Sequence, residues 1–133
     1  MMLIDTSVVV DVLRGSRDNV ERLFALIGPE PMAFARFTEL EVMMGTRDKR
    51  DWDRTAAMFD RRTIIDPKPD AWRRSARVYF DLRRNGKTIR SIADVCIAMT
   101  AVDNDLELIH NDRDFVVLAE AMPLKQTQLK LRS

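Results

Sequence analysis

MMLIDTSVVVDVLRG, residues 1–15, holds the reading that decides the fold. MMLI is a short continuous apolar run, the pattern of a strand buried on both faces. Asp5 follows it directly, and Ser7 to Arg14 reads as a helix stopped near Gly15. The alternation continues outward. Val20 to Ile27 reads as a helix ended by Gly28 and Pro29, PMAFA (residues 31–35) as a strand, and Arg36 to Gly45 as a helix. From Asp48, Trp52, Ala56 and Phe59 recur at helical spacing; Thr63 to Ile65 is a brief strand. Pro69 takes a first helical position, Trp72, Ala76 and Tyr79 repeat on one face, and Asn85-Gly86 stops that helix. Ser91 to Asn104 is the clearest helix and LELIH (residues 106–110) the clearest late strand. A short helix starts near Phe115, and Pro123 to Thr127 adds an edge strand.

Strands alternating with helices predict an α/β fold: a mainly parallel sheet of about four or five strands between helical layers. Such sheets bind ligands beyond the carboxyl ends of their strands, where the strand order reverses. That rule directs attention to the acids at strand ends.

The bulk properties narrow the field. One hundred and thirty-three residues at 15.4 kDa predict a single domain spanning 1–133, long enough to bury a core without staples. Hydrophobic residues at 46% and charged residues at 32% exclude a disordered chain. One cysteine excludes an internal disulfide framework and, with one histidine, a structural zinc site. The first residues lack the basic region of a signal peptide, and no apolar run reaches membrane-spanning length, so the expected location is the cytoplasm. A net charge of +1 excludes grip on nucleic acid by bulk charge alone.

Five acids fall where chemistry is expected, and each has a second reading as a helix cap. Asp5 ends the first strand, and Asp-Thr-Ser is also a strong capping composition. Thr38-Glu39-Leu40-Glu41 has the form of a capping box, as has Ser91-Ile92-Ala93-Asp94. Asp94 is nonetheless the only charge between Arg90 and Asp103. Ile92, Val95, Cys96 and Met99 form an apolar stripe beside it, with small Ala98 and Ala101 on its own face. A carboxylate there needs donors or a cation, because burial unpaired is very costly. Asp112 and Asp114 follow the late strand, and one of them can cap the helix near Phe115. Asp5, Glu41, Asp94 and Asp112 can converge on one rim, and Mg²⁺ or Mn²⁺ suits such a carboxylate set. His110 reads as a strand residue near the same rim. Arg47, Arg50 and Arg54 read as solvated; Lys87 and Arg90 flank the Asp94 helix and are better placed to touch a phosphate backbone. Met43 and Met44 read as core, with a partner surface as the alternative.

Four segments resemble the PIN-domain family and, within it, the VapC toxins of bacterial toxin–antitoxin pairs. LIDTSVVVDVL resembles the opening strand with the first acid, and TELEVMMG the helix in which a Glu stands four residues before a Gly. TIRSIADVCIA resembles the third-acid helix with its preceding turn, and LIHNDRDF the strand with the closing acids. The resemblance implies a PIN-like α/β/α fold and a Mg²⁺- or Mn²⁺-dependent endoribonuclease that blocks translation. It also implies a homodimer, neutralised by a VapB-like antitoxin through which alone DNA is contacted. It puts Asp5, Glu41, Asp94 and Asp112 on the four acidic positions, with Asp114 able to share or replace the role of Asp112. Ser7 matches a hydroxyl that lines the site.

Rival readings have sequence requirements of their own. A haloacid-dehalogenase-type phosphatase needs D-x-D, and Ser7 stands in the second place. A receiver domain needs a late Lys beside a phospho-acceptor Asp, and neither is evident. A non-catalytic interaction module on the same fold would not need the full acidic set, and a DNA nuclease would.

Overall fold

The computed structural model describes residues 1–15 and 17–131, and the backbone alone of Arg14. The last two positions of the expected domain, 132 and 133, lie outside the described residues, as does 16. The elements in chain order are β1 (Met2–Ile4), α1 (Thr6–Arg14), α2 (Arg17–Ile27), β2 (Met32–Ala35), α3 (Arg36–Met44), α4 (Lys49–Asp60), β3 (Thr63–Ile65), α5 (Ala71–Arg84), α6 (Ile92–Asp103), β4 (Glu107–His110), α7 (Asp114–Leu118) and β5 (Gln126–Gln128).

Five strands form one sheet in the order β3-β2-β1-β4-β5, and every pairing is parallel. The chain starts in the middle, runs outward through β2 and β3, then returns to build β4 and β5 on the other side of β1. The strand order therefore reverses between β1 and β4, where Ile4 pairs with Ile109 and the Asp5 N–H donates to the Ile109 carbonyl at 2.9 Å. Asp5 and the turn after His110 thus flank the crevice in which open α/β sheets bind ligands.

Strand alternation sorts the side chains into two cores. Leu3, Ala33, Ala35 and Leu108 face one way and pack with Leu82 of α5, Val95, Ile97, Ala98 and Ala101 of α6, and Phe115 and Leu118 of α7. Ile4, Phe34 and Ile109 face the other way and pack with Val8 and Val9 of α1, Leu23 and Ile27 of α2, Val42 of α3 and Phe59 of α4. The architecture is α/β/α. Phe34 and Phe59 meet edge to face at 5.4 Å, and Phe59 is 1% exposed. Truncating Phe59 to Ala would cost about 3–5 kcal/mol.

Several local expectations are corrected. Pro69 does not open a helix. The Lys68 carbonyl accepts from the Ala71 N–H, closing a turn over Pro69 and Asp70, and α5 begins at Ala71. The stripe α5 buries runs through Ala71, Ser75 and Leu82, so Trp72 is left exposed and stacks edge-on against Phe37. Small Ala71 and Ser75 let α5 lie close to α6; an indole there would not. Ile92 is exposed, because α6 enters the core only from Asp94 onward. Trp52 is half exposed, and α4 buries Thr55 and Phe59 instead. Met43 packs on the core, whereas Met44 is exposed. Thr38 is not an N-cap: α3 starts at Arg36 with Ala35 before it, and Thr38 lies inside the first turns, fully buried. Ser91 does stand at the N-cap of α6, yet its side chain makes no capping bond.

Candidate metal centre

At Asp5 the two carboxylate oxygens differ: one makes the helix cap, and the other has no partner. Its Oδ2 accepts from the Ser7 N–H at 3.0 Å and the Ser7 hydroxyl at 2.6 Å, capping α1. Its Oδ1 is buried with no hydrogen-bond partner, in a residue 2% exposed. Burial raises the Asp5 pKa above its ordinary value, the Ser7 bonds oppose that rise, and Glu41 adds to it. A buried carboxylate oxygen without a donor is costly unless a cation meets it. Ser7 does more than line the site. Its oxygen also accepts the Asn111 N–H at 2.9 Å, tying the turn after β4 to the end of β1.

Asp94 reaches the same rim from the first turn of α6 and is 8% exposed. Its pKa is pushed up to about 7, first by burial and then by the charges of Asp5, Asp112, Glu41 and Asp114. Carboxylate oxygens of Asp94, Asp112 and Asp114 lie within 4.8 Å of one another. The Asp112 Oδ1 accepts the Asp114 N–H at 3.0 Å, which opens α7, so Asp112 also combines a cap with a place in the cluster.

Glu41 and Glu39 part company. Glu39 points outward to Arg36, whose guanidinium also forks onto Asp66. Glu41 faces inward and accepts the Thr6 hydroxyl at 2.8 Å; that hydroxyl shares a further 3.2 Å hydrogen bond with buried Thr38. Glu41 also lines a cleft between α1, α3 and α4 with Arg47 and Arg54; both arginines are exposed, as their solvated reading expects, and Arg54 pairs with Asp51 at 3.4 Å. Lys87 pairs with Glu120 rather than with any of the clustered acids. Arg90 lies on the cluster itself. Its backbone N–H and Nε donate to Asp114 Oδ2 at 3.2 and 3.4 Å, and its Nη2 to Asp112 Oδ1 at 3.3 Å.

His110 is fully buried, and both ring nitrogens are engaged. Nδ1 accepts the Asp112 N–H at 3.2 Å, which makes Nε2 the protonated nitrogen that donates to Gln126 Oε1 at 2.6 Å. The ring holds β5 to the turn that carries Asp112 and has no free nitrogen for a proton at the site. Thr6 and Thr38 were read from the sequence only as capping residues, and Asn111 was not singled out.

The structure thus gathers Asp94, Asp112 and Asp114 tightly and holds Asp5 and Glu41 within electrostatic reach of Asp94. Hard carboxylate oxygens, one of them buried without a donor, fit a hard divalent cation.

The family model described as PIN domain matches residues 2–121. A Mycobacterium tuberculosis protein named Ribonuclease VapC11 is 32% identical, over 98% of this chain and 100% of its own. A toxin–antitoxin complex from Klebsiella pneumoniae contains a chain 26% identical, with a TM-score of 0.69 over 85% of this chain and 88% of that one. VapBC-1 from nontypeable Haemophilus influenzae shares the fold at a TM-score of 0.77 and 15% identity, over 96% and 97% of the two chains. On the match to residues 2–121 and on the full-length relative, this chain belongs to the PIN-domain family.

Proposed function

We propose that this protein is a metal-dependent endoribonuclease and the toxin of a toxin–antitoxin pair, acting in the cytoplasm as a homodimer held in check by a VapB-like antitoxin. The observation that carries the reading is the convergence of Asp94, Asp112 and Asp114, with Asp5 and Glu41 close by, at the reversal of strand order. The relative named Ribonuclease VapC11 and the toxin–antitoxin complex of similar fold support the substrate class and the partner.

Asp5, Glu41, Asp94 and Asp112 would hold Mg²⁺ or Mn²⁺, with Asp114 beside Asp112 as a fifth carboxylate. When bound, such an ion lowers the pKa of water and neutralises charge developing on the phosphate. The chain's own work is positional. Ser7 fixes the rotamer of Asp5 and ties it to the Asn111 turn. Thr6 orients the Glu41 carboxylate, and His110 anchors the Asp112 backbone. Like charges held in a buried site repel one another, so the folded protein is strained toward a cation. Arg47 and Arg54, in the cleft beside Glu41, supply positive charge along one approach for a phosphate backbone. Attack by water on phosphorus with the 3′ oxygen leaving gives 5′-phosphate and 3′-hydroxyl ends and does not use the 2′-hydroxyl, so preference for RNA must come from binding.

Purified protein free of antitoxin should cut structured RNA in Mg²⁺ or Mn²⁺, leave 5′-phosphate ends and stop in EDTA. Undiminished cutting in EDTA, or ends bearing a 2′,3′-cyclic phosphate, would overturn the metal mechanism.

A further inference from the structure

Arg90 is exposed, yet it does not point freely into solvent. Its guanidinium forks across Asp112 and Asp114, two of the three acids whose oxygens lie within 4.8 Å of one another. The fork puts its positive charge on two carboxylates that a divalent cation in the Asp94–Asp112–Asp114 group would also claim. The backbone N–H of Arg90 adds a third contact, so the chain just before α6 is pinned to Asp114 independently of the side chain. The guanidinium carries one delocalised positive charge and donates through hydrogen atoms, whereas a small divalent ion demands direct oxygen contacts. A cation between these carboxylates would compete with the guanidinium for the same two negative charges. The side chain is long, and the ion pairs it makes at this exposure are weak, so it can leave at little cost.

We propose that Arg90 is an exchangeable counter-ion: it screens Asp112 and Asp114 while no metal is bound, and is displaced from them when a divalent cation enters. The inference rests on the metal reading above and extends it. The displaced guanidinium stays tethered at the rim by its own backbone contact to Asp114, next to the centre where a phosphate would be drawn. Arg90 thereby serves in two states: as substitute cation in the empty site and as phosphate partner in the loaded one. It also sets a threshold for loading, since a metal must outcompete it.

The experiment is isothermal titration of Mn²⁺ into metal-free native protein, Arg90→Gln and Arg90→Lys, without RNA. Lys87→Gln is the control for loss of one positive charge nearby, because Lys87 pairs with Glu120 rather than with the cluster. The expected result is binding about three- to tenfold tighter in Arg90→Gln, the range that two exposed ion pairs can supply. Arg90→Lys should fall between it and the native protein, and Lys87→Gln should remain near native. Melting in EDTA gives a second readout: Arg90→Gln should melt below the native protein, and saturating Mn²⁺ should close that gap. Binding by the native protein with Arg90→Gln equal or weaker would overturn the exchange and leave the metal reading intact. A gain in Lys87→Gln as large as in Arg90→Gln would reduce the effect to net charge and overturn the exchange. No binding of Mn²⁺ by the native protein would overturn both.

Discussion

Thr6 and Ser7 show how much of the site depends on two hydroxyls next to the first acid. Ser7 gives its proton to Asp5 and accepts one from the Asn111 backbone, so a single oxygen sets the spacing between the ends of β1 and β4. Thr6 gives its proton to Glu41, on a different helix. Thr6→Val keeps the shape and β-branching and removes that bond. It should lower metal affinity and cleavage about tenfold, the usual scale for residues that orient a metal ligand, with little change in fold. Native-like affinity in Thr6→Val would show that Glu41 needs no such support. Asp5→Asn tests the other oxygen. Asn still caps α1, so the protein should fold; if the unpartnered oxygen serves a cation, cleavage and growth arrest on expression should both disappear. A folded Asp5→Asn protein as toxic as the native one would remove Asp5 from the chemistry. The position of Asp5 at the rim was legible because it ended an apolar run, and the family resemblance, in which a Glu stands four residues before a Gly, set Glu41 apart from Glu39. The hydrogen-bonding roles of Thr38, Asn111 and His110 were not, since each depends on a partner distant in the chain that only the folded sheet brings near.

Among the elements, α6 carries the sharpest contrast between cap and ligand. Ser91 stands at its N-cap without a side-chain bond, so Ser91→Ala should change stability by less than about 0.5 kcal/mol. Asp48, whose carboxylate accepts the Asp51 N–H at the start of α4, should cost about 1 kcal/mol when changed to Ala. Urea titrations of the two variants measure the difference, and equal losses would mean that Ser91 does cap. The helices themselves could be read from periodicity, because Gly, Pro and Asn punctuate them. Which face each one buries could not always be read. Trp72 and Ile92 match apolar stripes at correct spacing but remain outside. α5 turns Ala71, Ser75 and Leu82 inward, and its Ser75 and Arg74 meet Cys96, Met99 and Asp103 of α6; hydrophobicity alone does not encode that choice.

For the whole molecule, the order β3-β2-β1-β4-β5 converts a linear list of acids into one centre. Alternation of strands and helices in the sequence implied the parallel sheet and its rim. The strand order itself lies in pairings between distant segments, and so it emerged only in the fold. Concentrating acids carries a stability cost that pH should expose. The pKa of Asp94 is raised from 3.8 to about 7 and that of Asp5 is raised too, so the folded protein binds more protons than the unfolded chain between those values. Metal-free stability should therefore fall as pH rises from about 4 to 7. Asp66, Asp70 and Asp103 have lowered values, each held down first by an arginine bond, and their contribution is lost only below the ordinary carboxylate range. Melting in EDTA across pH should show the decline, and a flat profile over that window would contradict the clustering. The most direct test of the central claim, that these carboxylates exist to hold a divalent metal, is the melting temperature of native protein and Asp94→Asn at pH 7.5, each with EDTA and with Mn²⁺. Removal of one repelling charge should stabilise the metal-free variant by about 1 kcal/mol, and Mn²⁺ should raise the native protein far more than the variant. A variant that melts lower than the native protein in EDTA and gains as much from Mn²⁺ would contradict the claim and leave Asp94 a residue of the helix start.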